Sequence, residues 1–273
     1  MRGHERPYLF ILGAPAVVLF AALFVIPAVR LLVVGASGDE GIAAYLAVFT
    51  HPRYFSSLVS TLALSIGVTF TALLVSTIAG LFLTRHRFPG RDLIVGLMTL
   101  PLAFPGVVIG FLVIMLAGRL GLIGTISMLL TGHKIVFAYS LGGLFLGYLY
   151  FSIPRVILTV MASAEKLDPH LEEAARSLGA GPWRVARDVI IPGLMPALIS
   201  SGAIAFATAM GAFGTAFTLA TNLNVLPMTI YTEFTLNANI AMASALSVVL
   251  GLITWGALAA ARSAAGAGVA AAG

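Results

Sequence analysis

An all-α bundle of six membrane-crossing helices is the fold class this sequence predicts, on three observations. Hydrophobic residues make up 60% of the 273-residue chain and charged residues 9%, against roughly 45–50% and 25% in ordinary soluble domains. The apolar residues gather into six long runs, each meeting the requirement of about 20 residues for a helix to cross a bilayer. The runs also lack the strict alternation of barrel strands, and only helices and closed barrels satisfy their backbone hydrogen bonds in hydrocarbon.

In chain order the spans are Leu9–Leu32, Ser57–Leu83, Leu93–Ala117, Ile135–Val160, Leu194–Leu219 and Ile240–Ala261, all within one transmembrane domain over 1–273. The first follows a basic start, Met1 to Arg6, as a signal peptide would. It is long enough to span, however, and no small-x-small cleavage site stands out, so it reads as an uncleaved first helix. The third carries Pro101, Pro105, Gly106 and Gly110, and the fifth carries Met210-Gly211-Ala212-Phe213-Gly214. Proline removes a backbone hydrogen bond, and irregular backbone at membrane depth is tolerated where protein or a wet cavity satisfies it. Pro101, Pro105, Gly106, Met210, Gly211, Phe213 and Gly214 are therefore candidate pathway-lining residues; the competing reading is the general abundance of Gly and Pro in membrane helices. Leu120 to Leu130 is too short to span and predicts a helix on the outer surface. The Ala/Gly run after Arg262 reads as a frayed tail without a role.

Lysine and arginine set the orientation, since they are retained on the cytoplasmic side of short loops. Arg2, Arg6, Arg85, Arg87, Arg91, Arg155, Lys166, Arg176, Arg184, Arg187 and Arg262 fall on one side, and Arg30, Arg53, Arg119 and Lys134 on the other. Both termini are expected in the cytoplasm. The net charge of +5 is not gathered into a basic patch on a soluble face, so nucleic acid is not an expected partner.

The loop 161–193 is the polar island of the chain. Asp168-Pro169 predicts a helix start, with Asp accepting from the first free N–H groups and Pro at the first helical position. Leu171, Ala174, Ala175 and Leu178 recur at helical spacing as one narrow apolar stripe, while Glu172, Glu173 and Arg176 point elsewhere. Gly179 supplies the left-handed residue that ends such a helix. A second helix starts at Gly181-Pro182, with Trp183, Ala186 and Ile190 on one side and Arg184, Arg187 and Asp188 on another; Pro192 is expected to stop it before the fifth span. Two short helices joined at a glycine make a knob suited to a groove on another protein, or else an amphipathic loop resting on lipid.

Glu173-Ala174-Ala175, three residues, Gly179, nine residues and Val189-Ile190-Ile191-Pro192 together resemble the EAA loop of inner-membrane permease subunits of binding-protein-dependent (type I) ABC importers. Val189 and Ile191 replace the usual Ile and Leu and keep branched apolar side chains. Leu100-Pro101-Leu102-Ala103-Phe104-Pro105-Gly106-Val107-Val108 and Val225-Leu226-Pro227-Met228-Thr229-Ile230-Tyr231 resemble the polyamine, iron and sulfate group of these permeases. The resemblance implies that Leu171, Glu172, Glu173, Ala174, Ala175, Leu178, Gly179 and Pro192 dock a cytoplasmic ATPase as coupling helices. It implies two ATPase subunits, a second permease copy or homologue, an extracytoplasmic binding protein, and a multi-pass place in the bacterial inner membrane. It also ranks polyamine first among substrates, ahead of ferric iron, thiamine, organophosphonate and sulfate.

Enzyme chemistry finds little support. No Gly-x-x-x-x-Gly-Lys-Ser/Thr occurs, so ATP and magnesium are expected in the partner and no cofactor in this chain. There is no cysteine, and His4, His51, His86, His133 and His170 lack ligand spacing, so no metal site is expected. Ser65, Ser200 and Ser201 share no depth with a base and read as helix-packing hydroxyls. Arg155 is placed near an inner boundary and Glu233 near an outer one, leaving the mid-membrane free of ionisable groups. That disfavours a proton-driven carrier, the main alternative being an ion-coupled secondary transporter. Glu233, with Tyr231, Asn237 and Asn239, reads either as a lure for a cationic substrate or as part of a hydrated loop.

Overall fold

The computed structural model describes residues 6–219 and 223–271, with side chains over 13–219 and 223–266; Arg2 and His4 lie outside them. Helix α1 (Arg6–Phe20) passes through a π turn (Ala21–Val25) into α2 (Ile26–Gly35). Then come α3 (Ala43–Thr50), α4 (Pro52–Arg85), α5 (Arg91–Thr99), a 3-10 turn (Leu100–Ala103), α6 (Gly106–Ala117), α7 (Leu122–Thr131) and α8 (Leu141–Ala164). The chain continues through α9 (Pro169–Ser177), α10 (Pro182–Val185), a second π turn (Ala186–Ile190) and α11 (Ile191–Met210). It finishes with α12 (Gly214–Leu219), α13 (Leu226–Thr235) and α14 (Ile240–Ala271). Among the described residues six helical stretches are long and apolar enough to cross a membrane.

The core is built where α4, α8 and α11 meet. Val68 and Ala72 of α4, Val156 and Val160 of α8, and Leu194 and Ala205 of α11 are almost wholly buried. Small residues let the helices close: a Cβ on Gly80 would stand 2.8 Å from Val160 Cγ1, and one on Gly202 would stand 3.0 Å from Leu73 Cδ1. Ser76 Oγ donates to the Ile153 carbonyl at 3.1 Å, a bond between helices in place of a solvated hydroxyl. Outward faces such as Ile66, Phe70, Leu74 and Ile78 of α4 are exposed and apolar, as lipid requires.

Three boundaries differ from the sequence reading. The 93–117 segment is divided, because Phe104 before Pro105 is forced extended (φ −89°, ψ 131°) and interrupts the helix, and the third stretch long and apolar enough to cross is Gly106–Thr131. The fourth span starts at Leu141 rather than Ile135. Ser140 caps it, accepting from the Gly142 and Gly143 amides at 3.2 and 3.4 Å, which slides the span toward higher residue numbers. The Ala/Gly run expected to fray is helical to Ala271.

The bundle has two distinguishable ends. α4 finishes at Arg85 beside α9, and this end holds α9 and α10. At the opposite end α3, α13 and the start of α4 enclose a second apolar cluster with Val48, Leu58, Leu226 and Leu246. α2 meets α14 there, where a Cβ on Gly35 would stand 3.1 Å from Ala245 N. α1 and α14 therefore each extend toward the α9 end.

Candidate functional site: a docking knob and a broken-helix cavity

The knob is α9 and α10 with their connection. Asp168 caps α9, its carboxylate accepting from the His170 amide at 3.0 Å, and Pro169 occupies the first turn. Gly179 ends the helix at φ +82°, with its amide donating to Arg176 O at 2.9 Å and the Ala180 amide donating to Ala175 O at 3.1 Å. These are the two bonds of a Schellman cap, which needs a left-handed residue at this place. Nothing lies within 4 Å of a Cβ on Gly179, so the restriction there is conformational rather than one of space.

The expected apolar stripe divides between two faces. Ala175 packs toward the core, and Glu172, its side chain only 14% exposed, pairs with Arg85 of α4, whose Nη1 donates to Oε2 at 2.9 Å. Leu171, Ala174 and Leu178 face away from the bundle, Leu178 being 88% exposed. Glu173 is exposed too, with His170 Nδ1 at 3.4 Å. On the second helix Val185 and Ile190 are buried, and Trp183, expected beside Ile190, is 76% exposed. The knob is thus held by one set of side chains and presents another, apolar, set outward.

Pro192 does not stop the second helix. α10, the π turn and α11 form one continuous helical stretch, 182–210. The π turn immediately before Pro192 widens the helix where the pyrrolidine ring would otherwise meet the carbonyl four residues back. The α10 half of the knob is in this way the first turn of the fifth span.

That span breaks at its far end, beside the start of α6. Thr215 Oγ1 donates to Gly106 O at 2.9 Å, and a Cβ on Gly106 would stand 3.2 Å from Thr215 N. Tyr148 hydroxyl donates to Ala212 O at 2.6 Å, satisfying a carbonyl that the break leaves without a helical donor. Here lies a partly open cavity of about 350 Å³. Pro101, Gly106, Gly211 and Gly214 of the expected pathway set line it. Pro105 is not on its wall, Met210 is fully buried, and Phe213 packs at a tilt against Phe217 and Tyr231.

Arg155 also lines this cavity, and its placement corrects the inner-boundary expectation. With α8 running from Leu141 to Ala164, Arg155 lies about 21 Å from one helix end and about 14 Å from the other at 1.5 Å per residue. The shift of the span's start to Leu141 carries it to this depth. Arg155 Nη1 donates to Thr208 Oγ1 of α11 at 3.0 Å, and none of the ion pairs among the described residues includes it.

Glu233 is neither a lure nor part of a hydrated loop. Its side chain is 4% exposed and accepts from Arg53 Nη1 at 3.3 Å and from Asn237 Nδ2 at 3.0 Å. Ser200 and Ser201 donate to the carbonyls of Pro196 and Leu198 at 2.8 and 3.4 Å, while buried Ser65 Oγ has no partner among the described residues. No cluster of three His, Cys, Asp or Glu side chains fit for a metal occurs among the described residues.

A bundle of apolar helices with a water-facing knob and a cavity at its helix breaks defines a multi-pass membrane transport component. Residues 72–264 match the family described as the binding-protein-dependent transport system inner membrane component, and the chain belongs to it. It is 35% identical over 193 residues to the molybdenum transport system permease protein ModB of Escherichia coli (strain K12), covering 68% of this chain and 81% of that protein. To the sulfate transport system permease protein CysT of Salmonella typhimurium it is 34% identical over 218 residues, 78% of this chain and 76% of that one. A bacterial alginate ABC transporter shares the fold, with a TM-score of 0.76 at 15% identity over 93% of this chain and 92% of that chain. The chain is therefore a permease subunit of an ABC importer, an inner-membrane protein and not itself an enzyme. Its family implies ATPase and substrate-binding protein partners. The ion-coupled carrier reading is not favoured, and polyamine as substrate is not supported by either relative.

Proposed function

We propose that this permease imports a tetrahedral oxyanion, with molybdate and sulfate the leading candidates, and forms half of the pathway beside a second copy or a homologue. Two ATPase subunits, holding ATP and magnesium, dock on the outward face of α9 and α10 from the cytoplasm, where both termini lie. An extracytoplasmic binding protein delivers the anion to the opposite end. Leu171, Ala174, Leu178 and Trp183 offer the ATPase an apolar surface with small residues between, the kind of face a groove takes up.

The observation that carries this reading is the unbroken helix from α10 through α11. A displacement of α10 does not dissipate in a loop but is handed to the fifth span, and so to the helix breaks at the cavity. The substrate class draws on the two permease relatives, named for molybdenum and sulfate transport, since water holds molybdenum as the molybdate dianion. Reconstitution of the permease, its ATPase and its binding protein in vesicles tests both parts. ATP-dependent uptake of molybdate or sulfate is expected; uptake by the permease alone under an ion gradient, or uptake of spermidine and neither anion, overturns the reading.

A further inference from the structure

We infer that Arg155, positioned by Thr208, is an anion-binding station within the pathway, taking the oxyanion through its guanidinium at the cavity between the broken third and fifth spans. The inference rests on the oxyanion reading above and adds the site.

A guanidinium at membrane depth costs several kcal/mol unless its charge is balanced and its donors are used. Arg155 carries five N–H donors, and its hydrogen bond among the described residues is the one to Thr208. The described carboxylates do not reach it. Asp39 and Glu40 lie in the loop after α2, and Glu233 is paired near the opposite end of the bundle. Asp92, Glu165, Asp168, Glu172, Glu173 and Asp188 belong to the α9 end. A second copy of the chain packed alongside would bring these same acids, and none at the depth of Arg155. The balancing charge is then a mobile anion, and the cavity beside the guanidinium has room for one.

Thr208 fixes the geometry. Its hydroxyl donates to Ile204 O at 2.7 Å, leaving an oxygen lone pair for Arg155 Nη1. The rest of the planar fork remains free for two oxygens of one tetrahedral anion, the arrangement that guanidinium favours over ammonium. The start of α6 on the same wall adds the weaker pull of a helix's positive end. Thr208 rides on α11, the helix that begins in the docking knob, whereas Arg155 rides on α8. Movement of the knob changes how the guanidinium is held, so the station can tighten and release with the ATPase cycle.

The test uses the complete importer in vesicles, with molybdate and sulfate as probes and spermidine as the cation control. Arg155→Gln is expected to lower anion uptake on the order of ten- to a hundredfold, the loss of charge-assisted hydrogen bonds. Recovery of the ATPase with each variant permease is expected to match the wild type, because the docking faces are untouched. Arg155→Lys, which keeps the charge without the fork, is expected to fall between, and Thr208→Val to lose about threefold with a raised KM. Wild-type uptake by Arg155→Gln overturns the inference, as does a loss of uptake that parallels a loss of ATPase recovery in all three variants. If Arg155→Gln does not assemble, Arg155→Lys and Thr208→Val decide, and wild-type uptake by both overturns it. Failure of the wild-type importer to move either anion instead sinks the oxyanion reading itself, an outcome visible before any variant is compared.

Discussion

Each end of α4 is tied by an arginine–glutamate pair to a short helix packed across the bundle, yet the two ends are built differently. At one, Glu233 is almost wholly buried against Arg53, and α13 is bonded on further: Thr229 and Ser57 hydroxyls meet at 2.9 Å, and the Leu226 amide donates to Thr61 Oγ1 at 2.7 Å. An apolar cluster closes over these bonds. At the other, Glu172 is less deeply buried than Glu233, at 14% against 4% exposed, and most of α9's apolar side chains face outward. The first construction suits a rigid cap and the second a surface completed by a partner. Stiffness at one end gives displacement at the other something to work against.

The contrast is sharpest at Leu178, 88% exposed on the knob. As an apolar anchor in a partner's groove, its replacement by Asp is expected to weaken ATPase binding on the order of a hundredfold. Insertion and thermal stability of the permease alone are expected to be unchanged. Copurification of the ATPase with tagged Leu178→Asp permease measures this, and wild-type recovery would place the docking surface elsewhere.

At the opposite end the larger effect is on stability and depends on which partner is removed. Arg53→Ala leaves Glu233 buried without its counter-charge and is expected to cost about 2 kcal/mol, discounted because Arg53 is itself half-exposed. Glu233→Gln, which removes the buried charge and keeps hydrogen-bonding capacity, is expected to cost less. Thermal unfolding in one detergent ranks the two, and the reverse order would mean that Arg53, not Glu233, is the strained member.

Much of the first-order architecture was legible because it follows from short-range rules. Span length and apolarity locate the six crossings, and Asp168, Pro169 and Gly179 mark the limits of α9. What escaped depends on contacts far apart in sequence or on local alternatives of similar energy. Nothing near Glu233 indicates Arg53, 180 positions away. Pro192 is a helix stop by every local rule, and only the π turn before it lets the helix run on. The depth of Arg155 hinged on a cap: with Ser140 read inside the span, the fourth helix began too early and the arginine fell near its inner end. Hydropathy alone does not register so small a shift.

Gly179 offers a finer probe of the knob, since its constraint is a backbone angle rather than a contact. At φ +82° a β-branched side chain costs about 1–3 kcal/mol. Gly179→Val is therefore expected to distort the turn between α9 and α10 and reduce uptake about tenfold, with the protein still inserted. Gly179→Asn, which tolerates left-handed geometry, is expected to retain most activity. Equal loss in both variants would point to a need for the bare backbone at a partner's surface.

The smallest effect is expected from the Arg85–Glu172 pair, and its size decides whether the two ends of α4 really differ. A pair with Arg85 one-third exposed contributes roughly 0–1 kcal/mol, screened by salt. A double-mutant cycle of Arg85→Gln and Glu172→Gln, read by thermal unfolding at low and high salt, is expected to give a coupling in that range that shrinks as salt is added. Glu172 is also 3.9 Å from Arg176, so part of its interaction survives loss of Arg85, which lowers the coupling further. A coupling above about 2 kcal/mol that ignores salt would belong to a desolvated pair. The knob would then be clamped as firmly as α13, and the hinge for its movement would have to lie beyond α9, in the π turn that leads into α11.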